Sequence, residues 1–114
     1  MIPGKYNMIC PQGSTFSQNL TWLVNEIPVN LTGFAARMQV REKHTSPTTV
    51  LSLVSPTNIT LGASAGTIDI NVSASATSDI VPKDYVYDLE MISSSNVVSR
   101  IIEGKFIVTP EVTR

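Results

Sequence analysis

Several side chains in this sequence have the chemistry of a reactive site, and their spacing decides what each can do. The single histidine, His44, lies in "REKHTSP", flanked by Lys43 and, one residue further, Glu42. Nucleophilic or metal chemistry needs a base or co-ligands held beside it. A histidine in a charged, proline-broken loop reads instead as a solvated surface group. The single cysteine, Cys10, follows apolar Met8 and Ile9 and precedes Pro11. A free thiol in that setting packs as a small hydrophobe. One cysteine builds neither an internal disulfide nor, alone, a zinc site. Three carboxylates offer acid/base work. Asp88 and Glu90 are two residues apart and share a strand face, Glu103 lies across the next turn, and Arg100 and Arg41 are available as partners. Such a set reads as ion pairing on a solvated sheet face, or as a subunit contact in a protein of low charge. Gly62 and Gly66 in "GASAG" match no phosphate-binding loop, because no Gly-Lys-Ser/Thr follows and no helix opens there. Arg37, Arg41, Lys43 and His44 form a small basic cluster without interleaved aromatics, which is not the footprint of nucleic-acid recognition. No enzyme signature survives. The residues assign no catalytic group, no cofactor site and no metal site.

The elements that would position these side chains follow from composition and pattern. The 114 residues suit one domain. Hydrophobic residues make up 42% and charged residues 15%, a balance rich in Ser, Thr and Asn that argues for a β surface over a solvated helical bundle. A net charge of −1 gives no pull towards nucleic acid or anionic membrane. No apolar run approaches the ~20 residues that span a bilayer. "MIPGKYNMICPQG" lacks the apolar core of a signal peptide, so synthesis in the cytosol is expected. The Asn-x-Ser/Thr triplets at Asn19, Asn30, Asn58 and Asn71 therefore read as chance in an Asn- and Thr-rich chain.

Short alternating runs separated by turn signals fill the chain. "KYNMIC" predicts a first strand, and residues 1–12 form an arm ahead of one domain over residues 13–114. "STFSQNLTWLV" sets Phe16, Leu20 and Trp22 on one face. "FAARMQVRE" sets Ala36, Met38 and Val40 inward, and "TIDINVS" does the same with Ile68, Ile70 and Val72. "VLSLV" and "ITL" predict two shorter strands, and "SASATSDIVP" predicts a crossover with a single helical turn. "YVYDLEMI" places Tyr85, Tyr87, Leu89 and Met91 together; "SSSN" turns the chain, with Asn96 suited to positive φ. The return strand, Val97 to Thr109, is apolar on both faces in places, and Gly104 predicts a bulge or bend. The expected core is Phe16, Leu20, Trp22, Leu31, Met38, Val40, Leu51, Leu53, Ile68, Ile70, Val72, Tyr85, Tyr87, Leu89, Ile102, Phe106 and Val108. About seven or eight strands with regular turns predict an all-β, immunoglobulin-like antiparallel β-sandwich.

Five elements stand in order over Gly13 to Arg114: "GSTF", "NLTGFAARMQVR", "GTIDI", "YVYDLE" and "RIIEGKFIVTPEVTR". In that order they resemble small tailed-bacteriophage virion proteins, in the pattern of the N-terminal domains of phage baseplate upper proteins. Lys83-Asp84 departs from that pattern, where a glycine often precedes the tyrosine strand. The resemblance implies an immunoglobulin-like sandwich without enzymatic activity. It implies a structural part at the tail, baseplate or fibre attachment of a virion, made in the host cytoplasm and assembled as a homo-oligomer with other virion proteins. Nucleic acid and membrane are not among the implied partners, and no catalytic residue is carried over. Small sandwiches also serve as neck, head-decoration and receptor- or carbohydrate-binding modules. The last would use Trp22 or the tyrosines as stacking platforms, and an exposed Trp22 distinguishes it.

The expected contact surface has three parts. The first is the arm, with Ile2, Tyr6, Met8 and Ile9, apolar enough to add onto a neighbour's sheet edge. The second is the basic loop, with Arg41, Lys43 and His44. The third is the last strand and tail, with Lys105, Ile107 and Arg114. Which surface covers the strand beyond Gly104 is the question the sequence leaves open.

Overall fold

A computed structural model describes residues 4–113, and the fold is all-β. In chain order the strands are β1 (Gly4–Lys5), β2 (Met8–Pro11), β3 (Phe16–Thr21), β4 (Leu23–Val24), β5 (Ile27–Pro28), β6 (Ala35–Arg41), β7 (Leu51–Val54), β8 (Ile59–Leu61) and β9 (Thr67–Val72). The helical turn α1 (Ala74–Ser78), β10 (Asp84–Ile92) and β11 (Val98–Thr109) complete the order.

The strands form two main sheets. The larger runs β7-β6-β10-β11, and both β1 and β2 lie along the free side of β11. The smaller runs β3-β9-β8, and β4-β5 is a separate hairpin. Alternation explains the core. Along β10 every second residue is buried: Tyr85, Tyr87, Leu89 and Met91. Along β6 these are Ala36, Met38 and Val40, and along β9 they are Ile68, Ile70 and Val72. The inward faces of both sheets share one cluster, and Phe16 of β3 meets Phe106 of β11 edge-on at 5.3 Å between ring centroids. Of the expected core, Leu20, Trp22, Leu51 and Ile102 are only half-buried. Met8, Cys10, Ala36, Ile59, Ile80 and Met91 join the core beyond the expected set.

The crossover predicted at "SASATSDIVP" holds α1. Ser73 caps it, its hydroxyl accepting from the Ala76 N–H at 3.2 Å. The buried Thr77 hydroxyl donates to the Ser14 carbonyl at 2.8 Å, so this turn is tied to the loop before β3. Beyond it, the Tyr85 hydroxyl donates to the Val81 carbonyl four residues upstream at 2.5 Å. The β10–β11 turn places Asn96 at φ 65°, as the sequence predicts.

One expectation about the last strand is corrected. The irregularity lies at Ile101, not Gly104. Leu89 faces Ile102 while Glu90 faces Arg100, so Ile101 is the extra residue of a β-bulge. Ile101 and Ile102 then both lean on the core. Gly104 stays in register opposite Tyr87. Its lack of a side chain serves the arm, because a Cβ there would sit 2.3 Å from the Tyr6 carbonyl oxygen.

That arm answers what covers the end of β11. β1 pairs parallel to it with Gly4 opposite Ile102, and β2 does so with Met8 opposite Phe106 and Ile9 opposite Ile107. The predicted continuous strand "KYNMIC" is broken at Tyr6 and Asn7. The Asn7 side-chain carbonyl accepts from the Lys105 N–H at 3.0 Å, and the Tyr6 N–H donates to the Glu103 carbonyl at 3.0 Å. The arm, expected to add onto a neighbour's sheet edge, here adds to its own. Its alternating apolar residues fit a half-buried edge strand: Met8 and Cys10 go to the core and Ile9 faces out.

Candidate functional site

The outward face of the larger sheet carries most of the ionisable residues singled out in the sequence. β6 contributes Arg37, Gln39 and Arg41, β10 contributes Val86, Asp88 and Glu90, and β11 contributes Arg100 and Glu103. Together with His44 from the following loop they line a shallow concavity of about 300 Å³. Register sets the charge pattern. Arg37, Glu90 and Arg100 form one cross-strand row; Gln39, Asp88 and Glu103 form the next.

The second row sets two carboxylates opposite one another, which alone is unfavourable. The bulge at Ile101 relieves it. Residues three apart on a regular strand point to opposite faces, but the extra residue puts Arg100 and Glu103 on the same face. Arg100 then reaches Glu103 at 3.4 Å and Asp88 at 3.7 Å. Lys5 of the arm also pairs with Glu103, and Arg37 holds Glu90 at 2.7 Å. Partial burial, then the neighbouring Glu90, push the Asp88 carboxyl above the ordinary range, against Arg100. The hydrogen bond from Lys5 draws the Glu103 carboxyl below it. A separate exposed pair, Lys83 and Glu42 at 2.6 Å, lowers the Glu42 carboxyl and raises the Lys83 amine.

Three arginines and three carboxylates on one face are nearly neutral in sum. Such a face offers ion pairs and hydrogen bonds to a polar surface. His44 is exposed at its rim, and its ring makes no hydrogen bond among the described residues. Arg41 is turned away from the carboxylates, donating to the Ser46 carbonyl at 2.8 Å and to the Gln39 side chain at 2.9 Å. Among the described residues no group of three or more His, Cys, Asp or Glu is placed to hold a metal ion. Cys10 is fully buried, and burial raises its thiol pKa.

The expected contact residues separate into groups. Arg41 and His44 sit at one side of the concavity, and Lys43 is exposed in the loop between them. Lys105 is exposed, Ile107 is half-buried, and Ile9, 62% exposed, stands beside Ile107 on the same outward face. Tyr6 is 42% exposed. Met8 is corrected: it is fully buried against the core, because it points inward from β2, and offers no surface. Ile2 and Arg114 lie outside the described residues. Trp22 is half-buried, packed on the core and edge-on to Phe34 at 6.0 Å, so it is not an open stacking platform. The sequence missed the hairpin β4–β5, which exposes Leu23, Val24 and Ile27. Its signal was "NE" between two apolar pairs, where Asn25 and Glu26 both take positive φ, as a two-residue hairpin turn requires.

No protein-family model matches the chain, and no curated protein matches it.

Proposed function

We propose that this protein is a non-enzymatic structural module of a tailed-bacteriophage virion, an immunoglobulin-like β-sandwich that works by assembling with copies of itself and with other virion proteins. One observation carries the reading. The five elements of the phage resemblance each fall on or beside a different strand of the fold: "GSTF" opens β3, "NLTG" precedes β6, "GTIDI" is β9, "YVYDLE" is β10, and the closing segment is β11. A likeness confined to loops would follow surface chemistry; this one follows the elements that make the core.

The immunoglobulin-like assignment is supported by strand order. A four-strand sheet β11-β10-β6-β7 facing β3-β9-β8 is the arrangement of such sandwiches with an added edge strand. The hydrogen bond from Tyr85 to the Val81 carbonyl has the form of the tyrosine corner found at the same strand. The mixed-charge face and the exposed hairpin supply surfaces for assembly.

The test is to detect the chain in purified virions and to weigh the isolated protein by light scattering at several concentrations. The reading expects it in particles at a fixed stoichiometry and as an oligomer in solution. A strict monomer that is absent from particles and binds no virion protein overturns it.

A further inference from the structure

The arm's pairing with β11 has a consequence for the smaller sheet. β3 pairs with β9 on one side, and among the described residues no strand pairs with its other side. Which backbone groups stand on that open side follows from the ladder. The Trp22 N–H donates to the Gly66 carbonyl at 2.9 Å, on the β9 side, and continues the register in which Phe16 faces Val72. Hydrogen-bonded positions alternate along an antiparallel ladder. Phe16, Gln18 and Leu20 therefore direct their backbone groups at β9. Ser17, Asn19 and Thr21 direct theirs outward. The Val29 N–H donates to the Trp22 carbonyl at 2.9 Å, on the same side as β9. The β4–β5 hairpin accordingly does not cover the open edge.

Natural sheet edges are blunted by charge, proline, bulges or brevity. The other open edges have such devices. The arm is interrupted at Tyr6 and Asn7, carries Lys5 and ends at Pro11; β7 has four residues and is followed by Pro56; β8 has three. β3 has six residues, "FSQNLT", with no charge, no proline, no glycine and an unbroken register to β9.

We propose that the open edge of β3 pairs with the same edge of a second copy, antiparallel about a two-fold axis at Asn19. This joins two three-stranded sheets into one of six strands. Ser17 then exchanges hydrogen bonds with Thr21, and Asn19 with Asn19. The charge of this edge suits a second copy. A two-fold sets each residue near its own kind, so a charged edge repels its copy. This edge places only hydroxyls and amides in the seam, each both donor and acceptor. The nearest like charges are the two Asp69 carboxylates, each one strand back on β9. Their strands stand three spacings apart, about 14 Å, more than a Debye length of about 8 Å at physiological salt, and each carboxylate accepts a hydrogen bond from the Asn19 side chain of its own copy. The inference rests on the oligomeric reading above and names the edge that makes the contact.

Sedimentation velocity over a range of concentrations tests it, with wild type, Asn19→Lys, Asn19→Pro and, as a control of equal charge on the opposite edge of the same sheet, Thr60→Lys. Circular dichroism melts establish that each variant is folded. Because the Asn19 N–H points away from β9, proline there leaves the β3–β9 hydrogen bonds in place. The expected result is a self-associating wild type, a dissociation constant raised about tenfold or more in both Asn19 variants, and little change in Thr60→Lys. Asn19→Cys should form a disulfide-linked dimer on mild oxidation, while wild type, with Cys10 buried, should not. Association unchanged in folded Asn19→Lys overturns this edge and leaves the oligomeric reading standing. A wild type that stays monomeric throughout overturns both.

Discussion

The hydroxyl of Tyr87 donates to the carbonyl of Tyr6 at 2.5 Å, across 81 residues of chain. Tyr87 is buried on the inward face of β10, and Tyr6 lies at the break between the two strands of the arm. The bond satisfies a phenol that would otherwise be buried without a partner, and it fixes where the arm turns. Burial raises the Tyr87 phenol far above its ordinary pKa, so it remains a donor at any physiological pH. Tyr87→Phe should lower stability by about 1–3 kcal/mol, read by chemical denaturation. Hydrogen exchange should show the loss concentrated in residues 4–11. A uniform loss across both sheets would count against the arm as the element secured.

Gly104 and the same Tyr6 carbonyl give a second prediction. A methyl group at Gly104 would meet backbone oxygen at 2.3 Å, and the strand itself cannot give way while paired to β10 on its other side. Gly104→Ala should displace the arm and cost about 1–3 kcal/mol, with faster proteolysis near Tyr6. Gly4→Ala is the comparison, because its nearest neighbour would be at 3.7 Å. It should be close to neutral. Equal effects from the two would remove the steric argument.

Asp88 and Glu103 predict opposite responses to pH. The Asp88 carboxyl is raised on folding, first by burial and then by Glu90. The folded state thus holds its proton more tightly than the unfolded chain, and stability falls as pH rises through that raised value. Asp88→Asn should melt slightly above wild type at pH 7, by less than about 1 kcal/mol because the group is partly solvated. The difference should vanish below about pH 4, where the unfolded carboxyl is also protonated. Glu103 is lowered, chiefly by Lys5. Its contribution is present above the ordinary carboxyl range and lost as pH falls through the lowered value. Thermal melts of Asp88→Asn and Lys5→Met between pH 3 and pH 8 (a range about the ordinary carboxyl values) should diverge in opposite directions from wild type.

Cys10 should behave as a core residue. Its thiol is fully buried on β2, and burial raises its pKa. Reaction with a thiol reagent should be slow in the native protein and rapid in denaturant. Fast labelling under native conditions would mean that β2 leaves β11 readily. Cys10→Ser should cost about 1–3 kcal/mol, the penalty of burying a hydroxyl without a partner.

The strands of the two sheets were legible because their alternation is clean. Ile68, Ile70 and Val72 point one way in the sequence and in the fold. So do Tyr85, Tyr87, Leu89 and Met91. The ion-pair face was legible for the same reason, since Asp88 and Glu90 share parity. What sequence could not supply was pairing over distance. Nothing within Lys5 to Cys10 states that its partner is β11, so the sequence alone suggests surface for Met8, which belongs to the core. Nor does "RIIEG" state which of its residues bulges. Glycine marks a site where backbone is permissive or crowded, and here crowding by Tyr6 decides. The bulge falls instead at Ile101, where both adjacent isoleucines can reach the core.

The parallel seam between the arm and β11 also orders events in time. Met8 faces Phe106 and Lys5 faces Glu103, separations close to the length of the chain. The hairpin β10–β11 closes over a few residues, whereas the seam closes nearly the whole chain, at a loop-entropy cost that grows with the logarithm of length. The arm is therefore expected to dock after that hairpin. Until it does, one whole flank of β11 is unpaired, an open sheet edge that residues 4–11 close.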